Sequence, residues 1–227
     1  MICRVHLSPV LALVVALTAT IGAQPREHVD VPRDQWQRVA DIFRELGVTD
    51  GAHIADVGAG HGYFTTRLAK EVGPTGRVWA VDVNPVSLRE LREAVGKEHG
   101  NVEIVRGDED NPRLPVNELD GVLIVNAYHE FAEYATMLSH LYASLKPGGR
   151  LVMVEPIPRA ADTARGAQTK RHSIAIELAE AEILQAGFVI ATRDVAFVTR
   201  PDHMGEAARA AGGMRPTDWM LVARKPS

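Results

Sequence analysis

The fold is decided by the stretch HIADVGAGHGYFT, residues 53–65. Its first residues are apolar enough for a buried strand, and three glycines then alternate with other residues before a helix-like segment begins. Glycine permits positive φ and lets a ligand approach the backbone where a Cβ would collide. The helix that follows offers free N–H groups and the positive end of its dipole. We therefore predict a ligand-binding loop at the carboxyl end of the first strand, where open α/β sheets bind ligands.

Strand-like and helix-like segments alternate along the chain after this loop. The hydrophobic pattern predicts strands at residues 53–57, 77–83, 102–105, 121–125 and 151–154, and helices at residues 63–72, 87–98, 131–145 and 174–186. These strands are almost continuous in Val, Ile, Leu and Ala, as expected when helices cover both faces of a parallel sheet. Residues 187–198 and 219–223 are predicted to form an antiparallel pair at one side. The sequence thus predicts an α/β fold with a doubly wound, mainly parallel sheet that ends in an antiparallel strand pair.

The first 23 residues have the pattern of a secretory signal peptide. Arg4 precedes an apolar run from Val10 to Ala19, and small residues lead to a predicted cleavage after Ala23. The run is shorter than the roughly 20 residues that span a bilayer. Export to the periplasm is therefore expected, with an uncleaved anchor in the inner membrane or a buried amino-terminal helix as the alternatives.

Length and composition indicate one globular domain after this segment. The chain has 227 residues, of which 46% are hydrophobic and 24% charged, which excludes a disordered protein. A net charge of −4 gives no indication of a nucleic-acid partner. The single cysteine, Cys3, excludes an internal disulfide and a cysteine-based zinc cluster. We expect a helical segment over residues 24–50, in which the helix stops at Gly47. The main domain is expected over residues 51–227.

Two acidic residues follow the second and third predicted strands. Asp82 lies twenty residues beyond Gly62, where a carboxylate can accept both hydroxyls of a ribose. Asp108 follows the third strand and is either an acceptor for an adenine amino group or a solvated acid. The loop departs from the dinucleotide pattern Gly-x-Gly-x-x-Gly, because Tyr63 occupies the place of the third glycine.

These motifs together resemble class I S-adenosylmethionine-dependent methyltransferases. The resemblance is carried by DVGAGHG at residues 56–62, Asp82, Gly107-Asp108 and LKPGGRL at residues 145–151, and it covers the chain from about Trp36 to the carboxyl end. It is strongest to the small-molecule branch, such as the quinone-biosynthesis methyltransferases. It implies a seven-stranded, Rossmann-like sheet, S-adenosylmethionine as cofactor and a small-molecule or lipid-like acceptor. The chain has no Asn-Pro-Pro-Tyr or Asp-Pro-Pro-Tyr after the fourth strand, which disfavours methylation of nucleobase or glutamine amino groups.

The resemblance also implies a role for individual residues of this chain. The backbone of Gly58 and Gly60 would lie against the methionine portion of the donor, and Asp56 would hold its amino group. Asp82 would hold the ribose hydroxyls, and Asp108 the adenine amino group. The full set of donor-binding residues implied in this way is Asp56, Gly58, Gly60, Gly62, Tyr63, Asp82, Val83, Asp108 and Asn126.

Methyl transfer from a sulfonium is an in-line displacement, which depends mainly on how the reactants are positioned. The segment after the fourth strand is expected to face the reaction space, and it contains the candidate catalytic residues Tyr128 and His129. His129 is a candidate general base, or alternatively a residue that orients the next helix. Glu155 and His172 are further candidates at the rim. No metal is expected, since the histidine spacings match no ligand pattern.

Two other functions compete with methyl transfer. One is an exported, non-catalytic binding module that kept the fold, and the other is an NAD(P)-dependent oxidoreductase. The oxidoreductase is disfavoured by Tyr63 and by the Lys-Pro-Gly-Gly segment at residues 146–149. Binding of S-adenosylhomocysteine rather than NADH would distinguish these functions.

Overall fold

Seven strands form one sheet in the computed structural model, which describes residues 32–200 and 216–227. In chain order the strands are β1 (His53–Val57), β2 (Arg77–Asp82), β3 (Val102–Arg106), β4 (Leu119–Val125), β5 (Leu145–Pro156), β6 (Val189–Val198) and β7 (Asp218–Arg224). Across the sheet their order is β3-β2-β1-β4-β5-β7-β6. Strands β1 to β5 are parallel, whereas β7 is antiparallel to both of its neighbours. The predicted fold class, including its antiparallel end, is confirmed.

Helices lie before and between the strands, but residues 107–118, which join β3 to β4, form none. The helices are α1 (Arg33–Trp36), α2 (Val39–Leu46), α3 (Tyr63–Glu71), α4 (Pro85–Val95), α5 (Tyr134–Ser144), α6 (Arg165–Thr169) and α7 (Ile176–Gln185), with a 3₁₀ turn at Tyr128–Glu130. Helix α4 begins two residues before its predicted start at Ser87. The reason is local, because Pro85 favours the first helical position and the Asn84 side chain accepts hydrogen bonds from the N–H groups of Val86 and Ser87.

Strand β5 is longer than predicted at its beginning. It starts at Leu145 rather than at Leu151, so the Lys-Pro-Gly-Gly segment lies inside the strand. Leu145 pairs with Leu119, but the next paired residues are Arg150 and Gly121. The extra residues on β5 form an irregularity of the kind that a bulge introduces, which lets the strand continue through Gly148 and Gly149.

Apolar side chains cover both faces of the sheet. On one face, Val122 and Ile124 of β4 belong to a buried cluster with Leu138 of α5. On the other face, Leu123 of β4 lies in a cluster with Ile42 of α2. Helix α2 therefore packs against the same sheet.

The predicted signal peptide at residues 1–23 lies outside the described residues. Within residues 32–200 and 216–227, every helix is too short or too polar to cross a membrane.

Candidate functional site

A cavity of about 340 Å³ opens at the carboxyl ends of β1, β2 and β4. Its described lining residues are Val57, Gly58, Val81, Asp82, Val83, Asp108, Glu109, Ala127, Glu130, Phe131, Ala132 and Met137. The strand order reverses between β1 and β4, and open α/β sheets bind their ligands at such a switch point. The volume suits a small organic ligand. We therefore assign the candidate site to this cavity.

A wider depression, of about 790 Å³, lies at the opposite edge of the sheet. It is lined by residues near the starts of β2 and β3, among them Arg77 and Val102. Because ligands of this sheet type bind at the carboxyl ends of the strands, we do not assign the site to this depression.

The glycine loop after β1 uses its N–H groups within the protein. The N–H groups of Gly58 and Ala59 donate to the Val81 carbonyl at 2.9 and 3.0 Å. The Gly60 N–H donates to Asp82 Oδ2 at 2.9 Å. A loop that binds phosphate directs such groups at its ligand instead. The loop is thus built to bring backbone close to a ligand rather than to bind an anion.

Asp82 is held rigidly at the end of β2. Besides the bond from Gly60, its Oδ1 accepts a hydrogen bond from the Asn84 N–H at 2.8 Å. Each carboxylate oxygen can accept a second hydrogen bond. The side chain is therefore positioned to accept two hydroxyl groups from a ligand in the cavity that it lines.

Asp56, at the penultimate position of β1, is buried beneath the loop. The Thr65 hydroxyl donates to its Oδ2 at 2.6 Å. The pKa of Asp56 is raised from 3.8 to about 6, mainly by burial; the Thr65 hydrogen bond opposes this shift, and the nearby Asp82 charge adds to it. A cationic group near Asp56 would favour its ionised form.

The cavity lining is acidic. It contains the carboxylates of Asp82, Asp108, Glu109 and Glu130, and none of its described residues is basic. Asp108 is partly compensated, because Arg113 Nε and Arg113 Nη2 donate to its two oxygens at 2.8 and 3.1 Å. The local charge favours a cationic ligand over an anionic one.

Five of the nine predicted donor-binding residues lie outside the described cavity lining, namely Asp56, Gly60, Gly62, Tyr63 and Asn126. A Cβ on Gly62 would lie 2.7 Å from Leu91 Cδ1, so the glycine permits close packing of α3 on α4. Asn126 has φ of 56° and accepts a hydrogen bond from Arg200 at 3.5 Å. The four predicted residues that do line the cavity are Gly58, Asp82, Val83 and Asp108.

Tyr63 forms part of a contact between α1 and α3. Its ring lies between the guanidinium groups of Arg33 and Arg67, at 3.6 and 3.8 Å from the ring centroid. Its hydroxyl donates to Asp34, and burial raises the pKa of Tyr63 to about 12. These contacts hold the ring against α1, and Tyr63 is not among the described lining residues of the cavity.

Tyr128, the other predicted catalytic residue of this segment beside His129, lies in the core and is not among the described lining residues of the cavity. Tyr128 is fully buried, and its hydroxyl donates to Glu182 Oε2 on α7 at 2.6 Å. Burial, together with the adjacent Glu182 carboxylate, raises the pKa of Tyr128 far above its usual range. The 3₁₀ turn explains this orientation, since it points successive side chains in different directions. Glu130, two residues later, is the member of this turn that lines the cavity.

Glu155 organises the backbone after β4. Its side chain is 0% exposed, and its Oε1 accepts the N–H groups of Ala127 and Tyr128 at 2.7 and 2.6 Å. Its Oε2 lies 2.6 Å from His129 Nδ1, which donates because a carboxylate only accepts. Glu155 thereby fixes the orientation of the His129 ring. An acidic residue inside the apolar run of β5 was the signal in the sequence for this role.

Comparisons with known proteins relate this architecture to methyltransferases. Residues 54–149 match a family model described as a methyltransferase domain. A demethylmenaquinone methyltransferase from Geobacillus sp. is 31% identical over 122 residues, which are 53% of this chain and 51% of the relative. The chain spans about half the length of the curated relatives it matches.

Two solved structures share the fold at low sequence identity. A SAM-dependent methyltransferase from Aquifex aeolicus has a TM-score of 0.68 at 22% identity, with 86% of this chain and 94% of that chain covered. The [4+2]-cyclase SpnF has a TM-score of 0.65 at 21% identity, with 84% of this chain and 81% of that chain covered. Since one of these is described as a cyclase, the fold by itself does not determine the reaction.

Proposed function

We propose that this protein is an S-adenosylmethionine-dependent methyltransferase and that the cavity beside β1, β2 and β4 holds the methyl donor. The observation that carries this proposal is the combination of an acidic lining with a glycine loop whose first N–H groups are already bonded within the protein. The match of residues 54–149 to a methyltransferase domain supports it.

The charge of the ligand separates this function from the nicotinamide alternative. S-adenosylmethionine carries a sulfonium and an ammonium group, both of which an acidic cavity attracts. NAD and NADP carry a diphosphate, which requires free N–H groups or basic side chains. Gly58 and Gly60 offer no such N–H group, and Asp82 and Glu130 would repel the diphosphate. The site therefore favours the sulfonium donor.

The residues of the site position the reactants. The Asp82 carboxylate would bind the ribose hydroxyls, and Gly58 allows the methionine portion to lie against the backbone. Asp56 would stabilise the ammonium group, either directly or through water. The donor supplies a methyl group, which bonds to the acceptor atom as the S–CH₃ bond breaks and its electron pair stays on sulfur. Because such a displacement depends on alignment and exclusion of water, Phe131 and Met137 contribute the apolar wall that the reaction needs.

We propose an apolar small molecule of the quinone type as the acceptor. The relative from Geobacillus is named a demethylmenaquinone methyltransferase, and a similar protein from Pseudomonas fluorescens is named for ubiquinone and menaquinone biosynthesis. The similarity extends over 53% of this chain. The apolar part of the cavity lining fits an aromatic ring.

Calorimetric binding of S-adenosylhomocysteine, with NADH as the competing ligand, tests the donor site. We expect saturable binding of S-adenosylhomocysteine and at least a tenfold loss of affinity in Asp82→Asn, since one acceptor oxygen is replaced by an amide. Asp110→Asn is the matched control, because Asp110 is an exposed acid of the neighbouring loop that does not line the cavity. Binding of NADH alone, or equal effects of the two variants, would contradict the proposal.

Turnover tests the acceptor separately. Purified protein with S-adenosylmethionine and chemically reduced demethylmenaquinone (the quinol) in detergent should release S-adenosylhomocysteine, detected by mass spectrometry. The reduced form is required because the electron-rich quinol ring is the nucleophile, and it loses a proton as it gains the methyl group. Donor binding without turnover on this or any related quinol would instead support the non-catalytic binding module.

We further propose that the chain is exported, on the basis of residues 1–23. In a Gram-negative expression host, the protein should be recovered from the periplasm with Gln24 as its first residue. Val14→Arg, which interrupts the apolar run, should retain it in the cytoplasm with its original amino terminus. Recovery of the unchanged chain from the cytoplasm, with or without the substitution, would refute export.

A further inference from the structure

His129 presents a buried nitrogen that has no hydrogen-bond partner among the described residues. The residue is 1% exposed, and its Nε2 atom is unpaired. The other ring nitrogen, Nδ1, is occupied by Glu155. A buried polar atom without a partner is unfavourable unless another group satisfies it. Because Nδ1 carries the donated proton, Nε2 of the neutral ring is a lone-pair donor, which is the form that binds metal ions.

Two further ligand-type side chains meet at this nitrogen. Glu130 Oε1 lies 3.6 Å from His129 Nε2. His172 Nδ1 lies 3.3 Å from the same Glu130 oxygen. The rings of the two histidines are almost perpendicular, with centroids 5.5 Å apart. One ligand atom from each of the three residues lies within 4.8 Å of the others.

These separations are compatible with three ligands to one metal ion. Metal–ligand bonds of about 2.1 Å in tetrahedral arrangement place the ligand atoms about 3.4 Å apart. The separations of 3.6 and 3.3 Å lie on either side of this value. The side chains of Glu130 and His172 are 62% and 73% exposed, so small rotations can adjust the remaining distance.

We infer that His129, Glu130 and His172 form a binding site for a divalent transition-metal ion, with Zn²⁺ as the reference ion. Two imidazoles and one carboxylate suit zinc and iron, whereas magnesium and calcium prefer oxygen ligands alone. Glu155 is the outer carboxylate that metal-bound histidines commonly have, and it orients His129 Nε2 toward the other ligands. Three protein ligands leave at least one coordination position open.

The site adjoins the cavity described above. Glu130 belongs both to the cavity lining and to the ligand set. An open coordination position would therefore lie beside the space in which the proposed acceptor meets the donor. The metal site itself depends only on its own three side chains and does not require the proposed function.

The sequence alone predicted no metal, because the histidine spacings match no ligand pattern. His129 and His172 are 43 residues apart and belong to different elements, one in the 3₁₀ turn after β4 and the other in the segment after α6. A contact between α6 and the 3₁₀ turn brings them together. Spacing rules identify ligands that share one local motif, and this arrangement has none.

Isothermal titration of the purified protein with Zn²⁺, after removal of metals with a chelator, tests the inference. We expect one saturable site. His172→Ala and Glu130→Gln should each weaken it by more than about tenfold, which is the lower limit for loss of an outer-shell partner. His61→Ala is the matched control, because His61 is also exposed and also pairs with a glutamate, Glu90. His61→Ala should bind Zn²⁺ as tightly as the parent protein.

Three results would overturn the inference: no saturable Zn²⁺ binding, equal affinity in His172→Ala and the parent, or an equal loss in His61→Ala. Both substituted ligands are exposed, and thermal unfolding of the metal-free variants checks that they fold. Titration of S-adenosylhomocysteine into the same metal-free samples distinguishes the two proposals, since donor binding tests the cavity and Zn²⁺ binding tests the three ligands.

Discussion

Gly58 and Ala127 hold the loops after β1 and β4 in direct contact. A Cβ built on Gly58 would lie only 2.4 Å from the Cβ of Ala127, and Gly58 has φ of 77°. Both residues line the cavity, so this contact sets the distance between the two loops at the switch point of the sheet. A side chain at position 58 is excluded twice, once by the backbone conformation and once by the neighbouring methyl group.

Gly58→Ala should therefore destabilise the protein by about 2 to 5 kcal/mol. This value is the sum of the cost of placing a Cβ on left-handed backbone and the cost of overpacking against Ala127. Gly60→Ala is the control for the backbone component, because a Cβ on Gly60 would meet nothing within 4 Å at φ of 54°. It should cost only about 1 to 2 kcal/mol. Urea unfolding measures both values. Adding Ala127→Gly to Gly58→Ala should recover the steric component, and additive effects of the two substitutions would show that no clash exists.

Asp56→Asn should stabilise the protein at neutral and higher pH. The folded pKa of about 6 exceeds the unfolded value of 3.8, so the folded state binds more protons between these values. Stability from this group is therefore greatest below pH 3.8 and falls as the pH rises to about 6. Relative to low pH, ionisation of Asp56 lowers the free energy of unfolding by about 3 kcal/mol at pH 8 and by about half of that at pH 5.

Unfolding in urea at pH 5 and pH 8 measures this effect. Asp56→Asn should gain more stability over the parent at pH 8 than at pH 5, while Asp110→Asn should show no such difference. The same substitution should weaken binding of S-adenosylhomocysteine, because the amide no longer carries the charge that stabilises an ammonium group. A gain that is independent of pH would show that Asp56 is ionised normally in the folded protein.

Tyr128→Phe should affect stability rather than donor binding. Loss of the hydroxyl leaves Glu182 Oε2 buried without its 2.6 Å hydrogen bond, at a cost of about 1 to 3 kcal/mol. The Tyr128 hydrogen bond lowers the pKa of Glu182, which burial raises. Its loss raises that pKa further, so the destabilisation should be greater at pH 8 than at pH 5.

Urea unfolding of Tyr128→Phe and Tyr142→Phe provides the comparison, since the Tyr142 ring packs on Phe188 in the same core. Unchanged affinity for S-adenosylhomocysteine in Tyr128→Phe would agree with the buried position. A selective loss of donor affinity at full stability would instead place the Tyr128 hydroxyl at the ligand.

Tyr63→Leu should loosen α1 from α3. The substitution removes the ring between Arg33 and Arg67, an interaction worth about 0.5 to 2 kcal/mol for each guanidinium. Tyr63→Phe keeps the ring and loses only the hydroxyl that contacts Asp34. Hydrogen exchange of residues 33–36 should therefore accelerate much more in Tyr63→Leu than in Tyr63→Phe. Equal acceleration would assign the contact to the hydroxyl.

Much of the fold follows from local sequence. The Val- and Ile-rich segments around residues 54 and 122 predict buried parallel strands, because helices must cover both faces of such a sheet. The loop at residues 58–62 was identifiable from its three glycines. Each of them has positive φ, which only glycine adopts without strain. The position of Asp82 followed from the end of a strand, because the carboxyl ends of parallel strands share one edge.

Other features were not accessible from the sequence. The start of β5 depends on its pairing with Leu119, and the packing of Gly62 depends on Leu91 of a different helix. Neither partner can be identified from local pattern, since the interaction is set by the approach of two distant segments. Predicted strand and helix ends consequently differ by a few residues from those of the structure, although the elements themselves are present.

The sheet, the glycine loop and the acid at the end of β2 are encoded in local sequence, because backbone conformation and hydrophobic periodicity are local properties. The direction in which the side chains after β4 point depends instead on tertiary contacts. Burial and a hydrogen bond to Glu182 turn Tyr128 into the core, while Glu155 holds the next residue, His129, beside His172. Adjacent side chains of one turn thus acquire different roles, because their partners come from three separate elements. These are β5, α7 and the segment that follows α6, which only folding brings together.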